Sequence, residues 1–293
     1  MLTTLHHIGC SGGKDSSALL LWAIHESGLP RESLRCTFCD TSNEDRLTYE
    51  HLDLLRKRVA EPAGIIGGIE VLTPERPFFE LALWKHRFPS RKAQFCTQHL
   101  KLFPTQAWIH KHQNLGFEVV VLNGKRTGES AQRKASMAGK PEREWSPFWA
   151  CEEWAPLAAW TIEDVLAIHR RHGIPLNPLY ALGAKRVGCF PCINCGKPEI
   201  RMVSKIRPEK IDEIEQWEQR FETEYGRPST FFPSKTATRP YRTKTFTDKD
   251  GKPHHVAPIR EIVRWAQTER GGEQMRLDMD EPKACWMNYG ACE

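Results

Sequence analysis

Between Leu5 and Ser27 a short apolar segment, Leu5–Cys10, passes through Ser11-Gly12-Gly13-Lys14-Asp15-Ser16-Ser17 into a stretch with helical apolar spacing at Leu19, Leu20, Ala23 and Ile24. No other feature constrains the fold as much. Two adjacent glycines let the backbone turn sharply and bring its N–H groups against an anion. A helix opening near Ser16 adds the positive end of its dipole. Ser11, Ser16 and Ser17 carry hydroxyl donors, and Lys14 supplies a counter-charge. Asp15 would repel a bare phosphate, so its carboxylate points to Mg²⁺ coordination or a structural hydrogen bond. The spacing is not that of a Walker A loop, which needs Gly-x-x-x-x-Gly-Lys-Ser/Thr. A plain strand-to-helix turn with a serine cap is the competing interpretation.

Beyond this turn the chain alternates strand and helix. Leu34–Cys39 reads as a strand ending in Asp40-Thr41-Ser42-Asn43, and Glu44–Ala60 as a long helix. Ile69–Leu72 is a third strand. Thr97–Gln113 is helical, bent or restarted at Pro104. Phe117–Leu122 is an apolar β-branched run suited to the middle of a parallel sheet. Thr161–His172 is a helix with Thr161 as N-cap. This order predicts an α/β fold, a doubly wound parallel sheet with its ligand site at the strand ends. The texture changes near residue 187, which divides the chain into a loop-bearing domain, 1–187, and a cysteine-containing extension, 188–293. In the extension Pro208–Tyr225 and Ile259–Thr268 read as helices, Gly226–His255 as irregular, and Asp278–Glu293 shows little periodicity.

Composition restricts the class further. With 42 basic and 37 acidic residues the net charge is +5, an excess that leaves an ordinary surface and a nucleic-acid surface both open. Lys125–Lys134 and Arg239–Lys252 are the basic stretches. The chain lacks an apolar run of the roughly 18 residues that span a bilayer, and Met1–Leu5 does not read as a signal peptide. A cytoplasmic location without membrane contact is the expectation. Ten cysteines in such a setting favour metal binding or redox chemistry over disulfides.

The Ser-Gly-Gly-Lys-Asp-Ser loop resembles the signature of the PP-loop ATP pyrophosphatases, and further segments resemble the phosphoadenosine-phosphosulfate reductase family within that superfamily. They are Asp40-Thr41-Ser42-Asn43-Glu44 with Thr48-Tyr49, then Cys96-Thr97-x-x-Leu100-Lys101-x-x-Pro104, then Gly124-x-Arg126-x-x-Glu129-Ser130-x-x-Arg133. Pro156-Leu157-x-x-Trp160-Thr161 and Ile174-Pro175-x-Asn177-Pro178-Leu179-Tyr180 come next in the family's order, ending at Gly188-Cys189-x-x-Cys192. The resemblance implies an adenine site near Cys39–Thr41, involving Asp40 and Thr41, and phosphates on Ser11–Ser17. It makes Arg126, Arg133 and Lys101 phosphate or product clamps, with Gly124 beside them. Lys14, Asp15 and Arg126 are the expected catalytic groups.

Cys189-x-x-Cys192-x-x-Cys195 can bring two or three thiolates to one centre. The leading ligand set is Cys189, Cys192, Cys285 and Cys292; the rival is Cys96, Cys189, Cys192 and Cys195. Zinc fits the spacing alone, whereas the family resemblance implies a [4Fe–4S] cluster. Cys10, Cys36 and Cys39 read as core residues, and His6-His7 as structural.

The intact loop is similar to that of ATP-splitting family members. Phe95-Cys96 stands where iron–sulfur reductases carry a Cys-Cys pair, and the tail reads Tyr289-Gly290-Ala291-Cys292-Glu293 in place of Glu-Cys-Gly-Leu-His. ATP-dependent adenylation of an acceptor followed by sulfur transfer is therefore the leading expectation. By family analogy a cysteine desulfurase supplies the sulfur; DNA, tRNA or a small molecule is the acceptor. A thiol-dependent sulfonucleotide reductase using Cys292 is the alternative. The third reading is a non-catalytic nucleotide- or nucleic-acid-binding module.

Overall fold

The computed structural model describes residues 3–139, 141–233, 236–237, 239–247 and 250–268. Cys285, Cys292 and the segment Asp278–Glu293 lie outside them. The chain packs as two compact units, 3–74 with 101–188 and 75–100 with 189–268. The second unit thus takes in a segment that interrupts the first.

In the first unit β1 (Thr4–Gly9), β2 (Leu34–Cys39), β3 (Ile69–Leu72) and β4 (Glu118–Leu122) run parallel. β5 (Arg143–Ser146) and β6 (Cys151–Trp154) extend the sheet beyond β4, giving the order β3-β2-β1-β4-β6-β5. β6 is parallel to β4 and only β5 is antiparallel. Leu5, Ile8, Val119 and Val121 are buried, because helices and neighbouring segments cover both sheet faces. The order reverses between β1 and β4, so the end of β1 faces the crevice typical of doubly wound sheets.

Helix α1 (Lys14–His25) begins directly after the glycine turn and buries Leu19, Leu20, Leu21 and Ala23 in the core. It opens two residues before the sequence-predicted start at Ser16 because Ser17 N–H already bonds Gly13 O. Helix α2 (Arg46–Leu55) starts later than predicted. Asp45 is its N-cap, while the Glu44 carboxylate is turned back onto the Thr41 hydroxyl at 2.7 Å. Helix α5 (Phe103–Asn114) carries Pro104 in its first turn, where no N–H is needed. Short α6 (Ala131–Met137) and α7 (Ile162–Arg171) complete this unit; Thr161 and Asp164 form a capping box on α7.

The second unit contains α3 (Phe78–Trp84), the single turn α4 (Phe95–Thr97), α8 (Lys197–Ile206), α9 (Pro208–Tyr225) and α10 (Ile259–Ala266). Its core is aromatic: Phe79 stacks on Trp217 at 5.0 Å, and Phe88 lies 4.7 Å from Phe221. Buried Glu218 on α9 accepts backbone N–H bonds from Phe231 (2.9 Å) and Ile259 (2.8 Å), tying two loop entries to the helix. The region expected to be irregular, Gly226–His255, holds a hairpin of β7 (Lys244–Thr247) and β8 (Pro253–Val256). Phe246 stacks on His254 across its strands at 5.1 Å. Among the described residues no helix is long and apolar enough to cross a membrane.

Candidate functional site

The glycine turn is held from several sides. Gly12 has φ +73°, the left-handed region that an L side chain enters only with strain. A Cβ there would also press on Thr48 Cγ2 at 3.2 Å. Ser16 Oγ donates to Gly13 O (2.9 Å) and accepts from Ser11 N (3.1 Å), closing the loop on itself. The two hydroxyls of Ser11 and Ser16 are 3.2 Å apart. Ser17 is fully buried under the turn.

Charge concentrates at the start of α1. The Asp15 carboxylate receives Lys14 Nζ on Oδ2 at 2.9 Å and Arg126 Nε on Oδ1 at 2.5 Å. Arg126 is 4% exposed and Asp15 22%. Arg126 Nη1 also donates to Trp160 O at 3.3 Å. Two cations and one carboxylate therefore meet beside backbone N–H groups at a helix N-terminus, which favours an oxyanion. Gly124 packs closely at this junction: a Cβ there would stand 3.1 Å from Asp15 O. The structure thus joins Lys14, Asp15, Gly124 and Arg126, although 111 residues separate Asp15 from Arg126.

Three further groups hold the loop. Tyr180 OH accepts from Lys14 N at 3.1 Å, and Lys14 Nζ lies 5.5 Å from the centre of its ring. Asn177 Nδ2 donates to Gly12 O at 3.3 Å. His169 sets its ring nitrogens against the carbonyls of Lys14 (3.0 Å) and Ile174 (3.2 Å). Burial keeps His169 below its ordinary pKa, partly offset by those carbonyls. The Ile174–Tyr180 segment was visible in the sequence, but a contact spanning 166 residues carries no local signal.

At the end of β2, Asp40 Oδ1 accepts from Tyr49 OH (2.7 Å) and Ser42 N (2.8 Å). Thr41 is buried, its hydroxyl on Glu44. Burial raises the Glu44 carboxyl above the usual range, with Lys101 and the Thr41 bond opposing that shift. Cys39 Sγ meets Lys101 O at 3.5 Å and Thr105 Oγ1 at 3.4 Å, so Lys101 sits by the β2 end. A small pocket of about 190 Å³ opens here, lined by Phe38, Asp40, Tyr49, Leu52 and Val71. Arg133 is placed elsewhere. It pairs with Glu129 at 3.3 Å and lines a cleft of about 500 Å³ with Lys125, Ser136, Glu144 and Glu153.

The thiols divide similarly. Cys10, just after β1, and Cys36 on β2 are buried as expected of core residues, whereas Cys39 at the end of β2 is half-buried. His6 Nδ1 and Ser33 Oγ are 3.0 Å apart, and His7 Nε2 and Thr37 Oγ1 are 2.8 Å apart, both structural pairs. Cys96 is pushed up to about 11, first by burial and then by the neighbouring thiols of Cys189 and Cys192. Cys195 N donates to Cys192 O at 2.9 Å. Among the described residues no group of three or more His, Cys, Asp or Glu is arranged to hold a metal ion. The rival set of Cys96, Cys189, Cys192 and Cys195 lies within the described residues. The leading set includes Cys285 and Cys292, outside the described residues.

Known proteins resemble this chain over most of its length. The chain is 32% identical over 341 aligned positions to an uncharacterized 37.8 kDa protein of Escherichia phage 186, covering 99% of this chain and 97% of that one. It is 27% identical to an adenosine 5'-phosphosulfate reductase of Bacillus mycoides, over 62% of this chain and 70% of the relative. A crystal structure of phosphoadenylyl-sulfate reductase from Candida auris aligns with 64% of this chain and 82% of that chain, at 21% identity and a TM-score of 0.44. The family description for the phosphoadenosine phosphosulfate reductase domain matches residues 6–195, which take in the glycine turn, the Arg126 segment and the Tyr180 contact. With that match across most of its length, the chain belongs to the phosphoadenosine phosphosulfate reductase family.

Proposed function

We propose that the chain binds ATP on the Ser11–Ser17 loop and cleaves it between the α- and β-phosphates. An acceptor oxygen attacks the α-phosphorus, the bond to the bridging oxygen breaks, and pyrophosphate leaves. The outer sulfur of a persulfide then attacks the acceptor carbon, the carbon–oxygen bond breaks and AMP departs; a second thiol of the donor attacks the inner sulfur of the resulting disulfide, forming a donor disulfide and leaving the thiolated acceptor. The observation that carries this reading is the Asp15 carboxylate joining Lys14 and buried Arg126 at the N-terminus of α1. The loop N–H groups receive phosphate oxygens, and Arg126 neutralises charge developing at the α-phosphate. Asp15, a hard oxygen donor already gathering cations, is the residue that would hold Mg²⁺, which supplies charge neutralisation for a bound triphosphate. DNA or tRNA is the acceptor class and a cysteine desulfurase the sulfur source in this reading. A centre on Cys189, Cys192, Cys285 and Cys292, iron–sulfur or zinc, carries no step.

The relatives named adenosine 5'-phosphosulfate reductase favour a second reading, sulfonucleotide reduction. There a thiolate, Cys292, attacks the sulfur and releases AMP or its 3'-phosphate; a second thiol of thioredoxin type then releases sulfite as a disulfide forms. One experiment separates the two: measure pyrophosphate from Mg·ATP and sulfite from phosphosulfate nucleotides with the same preparation. ATP-dependent pyrophosphate release that Arg126→Ala abolishes supports the first reading. Sulfite release without pyrophosphate replaces it with the second. Absence of affinity for ATP, AMP and both phosphosulfates ends both.

A further inference from the structure

From Leu81 to Phe117 the chain has no Asp or Glu, but six Lys or Arg residues and four His. The part of this run within the second unit carries Lys85, Arg87, Arg91 and Lys92. Arg91 and Lys92 form the tip of a tight turn, closed by Ser90 N to Ala93 O (3.1 Å) and Ala93 N to Ser90 O (3.0 Å). Both side chains are exposed, as is Arg87, and none of the three has an ion-pair partner among the described residues. At the base of this arm Trp84 is 48% exposed. Lys85 Nζ lies 4.0 Å and Arg76 Cζ 4.8 Å from its ring centre, and the His99 ring meets it edge-on at 5.5 Å. Partial burial and then the charges of Lys85 and Arg76 hold His99 below its ordinary pKa, with Glu75 opposing.

We infer that this arm, Trp84 to Lys92, is a binding surface for single-stranded nucleic acid. The cations track the phosphate backbone, and the half-exposed indole gives a base a face on which to stack. Stacking selects a single strand, because a duplex keeps its base faces covered. The surface is distinct from the Ser11–Ser17 loop and does not depend on the nucleotide reading, since binding is measured without ATP. The turn that carries Arg91 and Lys92 is fixed through Phe88 in the aromatic core and through Arg227 Nη2, which donates to His86 O at 3.0 Å.

The test is fluorescence anisotropy of labelled 15-nucleotide oligo-dT and oligo-U, and of a duplex of equal length, with the full chain across a salt series. Single strands should bind more tightly than the duplex. Arg91→Ala with Lys92→Ala should lower the slope of log affinity against log salt by about 1.4, at roughly 0.7 per lost phosphate contact. Trp84→Ala should weaken single-strand binding roughly tenfold without changing that slope. Trp84→Phe should fall between and guards against misfolding of the alanine variant. Arg46→Ala, at an exposed cation of α2, should leave binding unchanged. A duplex bound as tightly as the single strands, variants that bind like the wild type, or no binding at low salt would each overturn the assignment. ATP affinity measured on the same samples keeps failure here separate from failure of the nucleotide reading.

Discussion

Replacing Asp15 with alanine should destabilise the first unit by about 2–3 kcal/mol, because the change strands a cation. Arg126 is almost fully buried, and its Nε loses the carboxylate oxygen now at 2.5 Å. Removing one partner of a buried pair costs roughly 3–5 kcal/mol, most of it the penalty of the charge left behind. Asp15 is about one-fifth exposed, so water can enter the vacated space, and Arg126 keeps its bond to Trp160 O; both place the cost at or below the lower end. At roughly 2–4 °C per kcal/mol for a unit of this size, Tm should fall about 5–10 °C. The decisive comparison adds Arg126→Met to Asp15→Ala. With Arg126 neutralised as well, only Lys14, 11% exposed, is left without the carboxylate, so the double variant should be more stable than Asp15→Ala alone. Urea unfolding monitored by circular dichroism measures all four corners of the cycle. Additive costs, with coupling below about 0.5 kcal/mol, would refute the argument that these two charges stabilise each other.

Gly124→Ala should displace the loop, its new Cβ standing 3.1 Å from Asp15 O, and weaken ATP binding at least tenfold by calorimetry while the fold persists. Tyr180→Phe removes the hydroxyl that accepts from Lys14 N, an effect of about 1 kcal/mol that should appear as a several-fold rise in nucleotide Kd. Burial lifts the Glu218 carboxyl to about 7, its backbone donors and Lys244 opposing and Glu215 adding to the shift. Its folded form therefore holds the proton more tightly than the unfolded chain. The stability it confers is present below about 4.5 and lost as pH rises through about 7, roughly 3 kcal/mol in all; Glu218→Gln should flatten the second unit's pH profile in that window. His7 and His51 are held near 4 by burial, so they act in the opposite sense. Their contribution to the first unit is present above about 6.5 and fades as pH falls toward 4, and His51→Leu should remove its share, as hydrogen exchange at several pH values would record.

The sequence made the centre of the sheet readable because strands covered on both faces are continuous apolar runs. β2 and β3 fall at their expected bounds, and β4 within one residue. α9 likewise occupies Pro208–Tyr225, opened by a proline and ended by Gly226 in the left-handed region. β5 and β6 escaped notice because they are four residues each, rich in Arg and Glu, at the border of the sheet; Trp145 on β5 is largely exposed. The hairpin of β7 and β8 escaped for the same reason, its pairing depending on Phe246 meeting His254 across the turn. At the site, local motifs revealed the glycine turn and Arg126. Asn177, His169 and Tyr180 received no role, since what they hold is backbone distant in sequence.

The segment 75–100 has a consequence for synthesis on the ribosome. Phe79 and Phe88 leave the exit tunnel long before Trp217, Phe221 and Phe231, the rings that cover them, have been translated. At about 5–20 residues per second the nascent chain must carry that apolar surface for roughly ten seconds. A protein shortened after residue 187 would never receive the cover and should bind chaperones or precipitate, even with every strand of the large sheet intact.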